Sequence, residues 1–147
     1  MVIERGTSLK EIERTGIEIS GLVTSQLLIN IFEHNTPLHD GAVVIRGNRV
    51  AAATCYLPLS DNMSINKALG TRHRAAVGVS EATDSVTLVV SEETGRVSVA
   101  VSGRLKSVKD GDELRDMLSV LVKRETENTG RFRIWKGRRR NERKADE

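Results

Sequence analysis

Two pairs of apolar segments, each joined by a connection too short to be anything but a hairpin, constrain this chain most. Ala42 to Ile45 and Val50 to Leu57 flank Gly47-Asn48, and Ser85 to Val90 and Arg96 to Val101 flank Glu92-Glu93-Thr94-Gly95. Connections of that length force antiparallel pairing, and Leu105 to Val108 adds a strand after Ser102-Gly103. Before, between and after the pairs the period changes to that of helices. Leu27, Leu28, Ile31 and Phe32 share a core-facing side of a helix from Thr24 to Glu33, ended by Asn35 and Pro37. Thr71 caps a helix running to about Ala82, with Gly78 as its weak point. Asp112 caps a last helix carrying Leu114, Met117, Leu118, Leu121 and Val122. A short first helix follows from the capping-box spacing of Ser8 and Glu11, with Gly16 as its stop. The fold class is therefore α/β in the α+β sense, a mixed, largely antiparallel central sheet flanked by helices.

Val2 and Ile3 read as the end of a strand with nothing before them to cover it, so a longer natural chain is expected. A length of 147 residues fits one domain, and no apolar run reaches the roughly 18 residues of a membrane span. With no signal peptide and a single cysteine, Cys55, a reducing cytoplasm is the expected compartment. The net charge of +3 is unevenly spread: residues 131–147 hold eight Lys and Arg against three acids, which leaves 15 bases against 17 acids elsewhere. The body, residues 1–125, thus lacks the basic stripe of a nucleic-acid grip, and residues 126–147 are expected to form a basic, flexible tail.

Three polar clusters fall at element ends, where scaffolds present chemistry. In Leu38-His39-Asp40-Gly41-Ala42 an imidazole and a carboxylate can reach one divalent cation, although Asp-Gly also serves as a plain turn. In Gly70-Thr71-Arg72-His73-Arg74 the start of a helix offers backbone N–H groups, a hydroxyl and two guanidinium groups to an anion. Basic residues there oppose the helix dipole unless an anion offsets them, and the bland alternative is that both arginines face solvent or surface acids. Ser91-Glu92-Glu93-Thr94-Gly95 is a hairpin turn on its own; with His39 and Asp40, a glutamate in it can complete a hard-metal site. A metal beside a cationic helix start points to phosphoryl or nucleotidyl transfer. His34 reads as a solvated helix end and Cys55 as core, and neither GxxxxGK[ST] nor GxGxxG occurs.

Together these motifs, in order and spacing, resemble the diadenylate cyclase catalytic domain family, over about Val2 to Arg124 and including Leu27 to Phe32 and Ala52 to Leu59. The resemblance is strongest to the membrane-anchored bacterial type, without its N-terminal transmembrane helices. It implies a seven-stranded mixed sheet and synthesis of cyclic di-3′,5′-AMP from two ATP, with release of two pyrophosphates. It further implies that Asp40, Gly41 and Arg72 are catalytic and that His39, Asp40 and Glu93 bind a divalent cation (magnesium, manganese or cobalt). Tyr56 and Leu57 would hold adenine, while Gly70, Thr71, Arg72, His73, Arg74, Ser91, Glu92 and Thr94 would contact the rest of the substrate. One ATP per protomer makes a face-to-face homodimer the catalytic unit. A membrane-bound regulator and a phosphoglucosamine mutase are the implied controllers, with the whole protein anchored at the membrane and this domain in the cytoplasm.

Two other classes compete. A nucleotide or cyclic-dinucleotide receptor would need no metal-activating set like His39, Asp40 and Glu93. A nucleic-acid binder would act through Arg138-Arg139-Arg140 with Trp135, in a segment that the resemblance does not cover; no nucleic-acid partner is expected.

Overall fold

Glycine adopts positive φ without steric cost, and two such positions close hairpins here. In the computed structural model, which describes residues 1–121, β1 (Val2–Ile3) is followed by α1 (Lys10–Glu13), β2 (Ile17–Leu22), α2 (Ser25–Phe32), β3 (Ala42–Arg46) and β4 (Arg49–Cys55). Then come α3 (Thr71–Ala82), β5 (Val86–Val90), β6 (Val97–Val101) and β7 (Arg104–Ser107). Gly47, at φ 59, turns β3 into β4, and Ser102 with Gly103, at φ 50 and 74, turns β6 into β7.

The seven strands form one sheet in the order β2-β4-β3-β1-β5-β6-β7. Only β1 and β3 are parallel, with Val2 opposite Val44; every other pairing is antiparallel. The expected mixed, largely antiparallel sheet with flanking helices is thus the observed one. Its two faces are covered differently. Ala42 and Val44 join Val2, Leu9 and Val79 in one cluster, while Val43 and Ile45 join Ile31 of α2 in another. Toward the other edge, Ala76 and Val77 of α3 pack with Val89 and Ala100.

Several local expectations need correction. Val2, far from being uncovered, is fully buried at the centre of the sheet. The Ser8–Glu11 box does not form: the N-cap is Leu9, whose N–H donates to the Glu4 carboxylate at 2.7 Å, while Glu11 pairs with Arg14. Gly16 serves a close approach, since a Cβ there would lie 2.6 Å from the Cys55 sulfur. β2 was not anticipated, because Ser20 at φ 51 and a register shift between Glu18 and Gly21 break its alternation. On α2, Thr24 is the N-cap, accepting from the Leu27 N–H at 3.1 Å, and Phe32, expected in the core, is 41% exposed. Gly70, not Thr71, is the N-cap of α3.

The chain divides into two units, Met1–Val108 and Lys109–Glu147. Within the second, a helix covers 111–121. Its cap is Asp110, which accepts from the Glu113 N–H at 2.9 Å, whereas Asp112 pairs with Arg115 at 3.0 Å. Val122, the expected boundary after 125 and the basic tail lie outside the described residues.

A carboxylate ties the loop after β1 to the end of α3. Asp84 accepts from the N–H groups of Gly6 and Thr7, each at 2.9 Å. Burial alone would raise its pKa; the hydrogen bonds from Thr7 and Gly6, with the charge of Arg5, outweigh this and hold it below 3.8. A depressed carboxylate contributes stability above its unfolded-state pKa and loses it as pH falls through the folded-state value. Asp84→Asn is therefore expected to lower stability at neutral pH and to flatten the acid limb of the curve below about pH 4. Urea unfolding across that range checks this, and parallel curves for the two proteins would refute it.

Candidate active site

The three polar clusters converge on one guanidinium. Arg72, in the first turn of α3, places Nη2 2.8 Å from Glu92 Oε1 and 3.6 Å from Asp40 Oδ1. Asp40 lies in the loop entering β3, and Glu92 in the turn leaving β5. All three side chains reach solvent, with Asp40 the most open at 84% exposure. Such ion pairs contribute little to stability, so their value lies in placement.

Asp40 is aimed by backbone irregularity. Its Oδ1 accepts from the Gly41 N–H at 3.0 Å. Gly41 has φ 84, and a Cβ there would lie 2.9 Å from the Thr54 backbone. Thr54 itself has φ 56, a conformation that β-branched residues rarely take, where the β3–β4 register slips between Ala42 and Val44. Strain of this kind persists only where the surroundings enforce it.

His39 lies in the same loop, half-buried. Its Nδ1–H donates to the Thr36 carbonyl at 2.7 Å, because a carbonyl can only accept, so in the neutral ring Nε2 is the nitrogen with the free lone pair. That tautomer suits a metal ligand. The His34 ring meets it edge to face at 5.6 Å. Among the described residues, no three His, Cys, Asp or Glu side chains form a metal-holding group, and Glu93 stands exposed in its turn. A cation at His39 and Asp40 would draw its other ligands from water or substrate phosphates, as magnesium commonly does.

The start of α3 suits an anion. Gly70 provides no side-chain cap, and the first turn holds no acidic residue. Thr71 and Arg72 are exposed, whereas His73 is 7% exposed on the inner side of the helix. Arg74 is directed elsewhere: its Nη1 donates to the Ser60 carbonyl at 3.4 Å. The Ser91 Oγ accepts from the Thr94 N–H at 3.3 Å, leaving its own proton for a ligand, and the Thr94 Oγ1 accepts from Arg96. Tyr56 is 78% exposed, and its backbone N–H donates to Thr15 Oγ1 at 2.8 Å. Leu57 packs into the cluster around Val2. The Cys55 thiol is pushed up to about 11 by burial and by the Glu13 carboxylate, so it is no nucleophile at neutral pH.

Two features escaped the sequence: the strain at Thr54, and the anchoring of the segment after Tyr56 on α3 through Ser60, Gly78 and Glu81. Gly78 inside a helix was the available signal for the second.

The family model described as DAC, DisA bacterial checkpoint controller nucleotide-binding, matches residues 1–105. The cyclic di-AMP synthase CdaA of Bacillus subtilis is 52% identical over 140 residues, 95% of this chain and 51% of that protein. A crystal structure of a double mutant of DacA from Staphylococcus aureus superposes with a TM-score of 0.78 at 47% identity, covering 80% of this chain and 79% of that one. A structure titled a hypothetical membrane spanning protein from Bacillus cereus gives a TM-score of 0.72 at 44% identity, covering 74% and 53% of the two chains. The chain spans about half the length of the curated relatives it matches first. No helix among the described residues is long and apolar enough to cross a membrane. Motifs, sheet order and these likenesses agree, and the chain belongs to the DAC family.

Proposed function

We propose that this chain is the catalytic domain of a diadenylate cyclase, joining two ATP into cyclic di-3′,5′-AMP and releasing two pyrophosphates. The observation that carries the reading is Arg72, which draws Asp40 and the Glu92 turn to the start of α3. Thr71 and Arg72 with the first-turn amides receive the triphosphate, and the Ser91 hydroxyl donates to one of its oxygens. Tyr56 stacks on adenine and the Leu57 backbone reads its edge. His73 supports this surface from within.

A ribose hydroxyl is a poor nucleophile at neutral pH, so negative charge developing on the 3′-oxygen needs stabilising. His39 through Nε2 and Asp40, with water and substrate phosphates as the other ligands, would hold a divalent cation (magnesium, manganese or cobalt), which would supply that stabilisation and neutralise phosphate charge. Asp40 faces the hydroxyl and takes up its proton. Each 3′-oxygen bonds to the α-phosphorus of the other ATP while the bond to pyrophosphate breaks in line. One protomer holds one ATP, so two protomers face each other across a two-fold axis. In the whole protein this domain works on the cytoplasmic side of a membrane anchor, under a membrane-bound regulator and a phosphoglucosamine mutase.

Incubating the purified chain with ATP and manganese, and reading products by mass spectrometry, tests this. Cyclic diadenylate is expected, with a specific rate that rises with protein concentration and disappears on adding EDTA. ATP binding by a dimer without product would instead favour a nucleotide receptor.

A further inference from the structure

Outside the reacting groups, three features of α3 lack a role: a glycine in mid-helix, a carboxylate near its end, and a buried serine hydroxyl facing it. They meet at one place. Ser60 is 4% exposed, and its Oγ donates to Glu81 Oε1 at 2.8 Å while accepting from the Asn62 N–H at 3.2 Å. The Ser60 N–H donates to the Arg74 carbonyl at 3.0 Å, and the Ser60 carbonyl accepts from the Arg74 side chain. Beneath this, the backbone of Pro58 and Ser60 runs so close to α3 that a Cβ on Gly78 would lie 2.8 Å from the Ser60 nitrogen and closer still to the Pro58 carbonyl. Glycine weakens a helix interior by about 1 kcal/mol relative to alanine, and here it admits a strap.

That strap begins at Tyr56 and Leu57. α3 begins at the phosphate end of the site and carries the strap along its length, from Arg74 near its start, past Gly78, to Glu81 near its end. The helix is thus a ruler on which the phosphate-binding turn and the base-holding strap are both set. We propose that Ser60 and Glu81 clamp this ruler, and that Glu81 is a positioning residue that sets selectivity for adenine by fixing the Tyr56–Leu57 segment relative to the phosphate-binding turn. The inference rests on the proposed function, which places the base on Tyr56 and Leu57. Base recognition through backbone contacts tolerates little displacement, because an edge read out of register leaves polar groups unpaired. Phosphate recognition by Thr71 and Arg72 uses side chains that the Ser60–Glu81 hydrogen bond does not involve.

The test is calorimetric titration of the whole 147-residue chain with Mg-ATP, Mg-GTP and tripolyphosphate, for wild type, Ser60→Ala, Glu81→Ala and Glu81→Gln. Loss of the clamp is expected to weaken ATP binding about tenfold, with GTP and tripolyphosphate unchanged, so the preference for ATP narrows by the same factor. Glu81→Gln keeps an oxygen that accepts from Ser60 and retains the wild-type preference. A merely structural clamp would lower the melting temperature and leave the ATP-to-GTP ratio intact. An unchanged ratio in Glu81→Ala overturns the proposal, as does a Glu81→Gln ratio reduced as far as that of Glu81→Ala. A wild type that discriminates while all variants match it overturns the clamp alone; a wild type that binds no nucleotide overturns the proposed function with it.

Discussion

Asp40→Asn is expected to lower cyclic dinucleotide formation by about 10³-fold or more while moving the melting temperature by no more than about 3 °C. The two halves of that expectation have different sources. Asp40 is exposed, its carboxylate meets the Gly41 N–H and Arg72 among the described residues, and an amide keeps an oxygen that accepts from Gly41. Stability is therefore nearly indifferent to the change. The chemistry is not, because an amide neither takes up a proton nor carries the negative charge that helps hold a cation. Arg72 keeps its shorter contact to Glu92, so the phosphate end stays organised. ATP binding should then persist within a fewfold, and calorimetry beside the product assay separates the two effects. Unimpaired turnover would remove Asp40 from its central role.

The second large effect is expected at the next residue and has the opposite character. Gly41→Ala imposes positive φ on alanine and pushes a methyl group toward the backbone of Thr54. The conformational part costs about 1–2 kcal/mol and the overlap adds a comparable amount, for a total of about 2–4 kcal/mol. Gly47 isolates the first part: it too has positive φ, but a Cβ there would meet nothing within 4 Å among the described residues. Gly47→Ala should lose about 1 kcal/mol and keep its activity, whereas Gly41→Ala should lose activity even where it remains folded, because relieving the overlap moves Asp40. Urea unfolding with parallel product assays distinguishes them. Equal losses of stability in the two variants would show that contact with Thr54 does not matter.

Sheet and site were legible to different depths. The hairpins could be read because Gly47-Asn48 and Ser102-Gly103 are local signals, satisfied within a few residues. The three motif clusters could be read because their residue types suit the ends of elements. β2 could not, since Ser20 and Gly21 interrupt the alternation on which strand recognition depends. β1 could be read as a strand end, but not its central place between β3 and β5. Caps were displaced by one or two residues: Leu9, Gly70 and Asp110 stand where Ser8, Thr71 and Asp112 were expected. Sequence spacing named Arg72 and Glu92 separately, but only the fold makes them partners, because that contact depends on where α3 lies against the end of β5. The fit of Pro58 over Gly78 is likewise invisible until two distant segments are brought together.

β1 has a mechanical consequence. It is the sole strand between β2-β4-β3 on one side and β5-β6-β7 on the other, so two residues rivet together the two wings of the sheet. Asp40 enters the strand on one side of that rivet, and Glu92 leaves the strand on the other, two interstrand spacings or about 10 Å apart in the sheet. The jaws of the site are thus mounted on different wings. A small shear along Val2–Ile3 would open or close them without unfolding either wing, and Arg72 spans the gap as a tie rod.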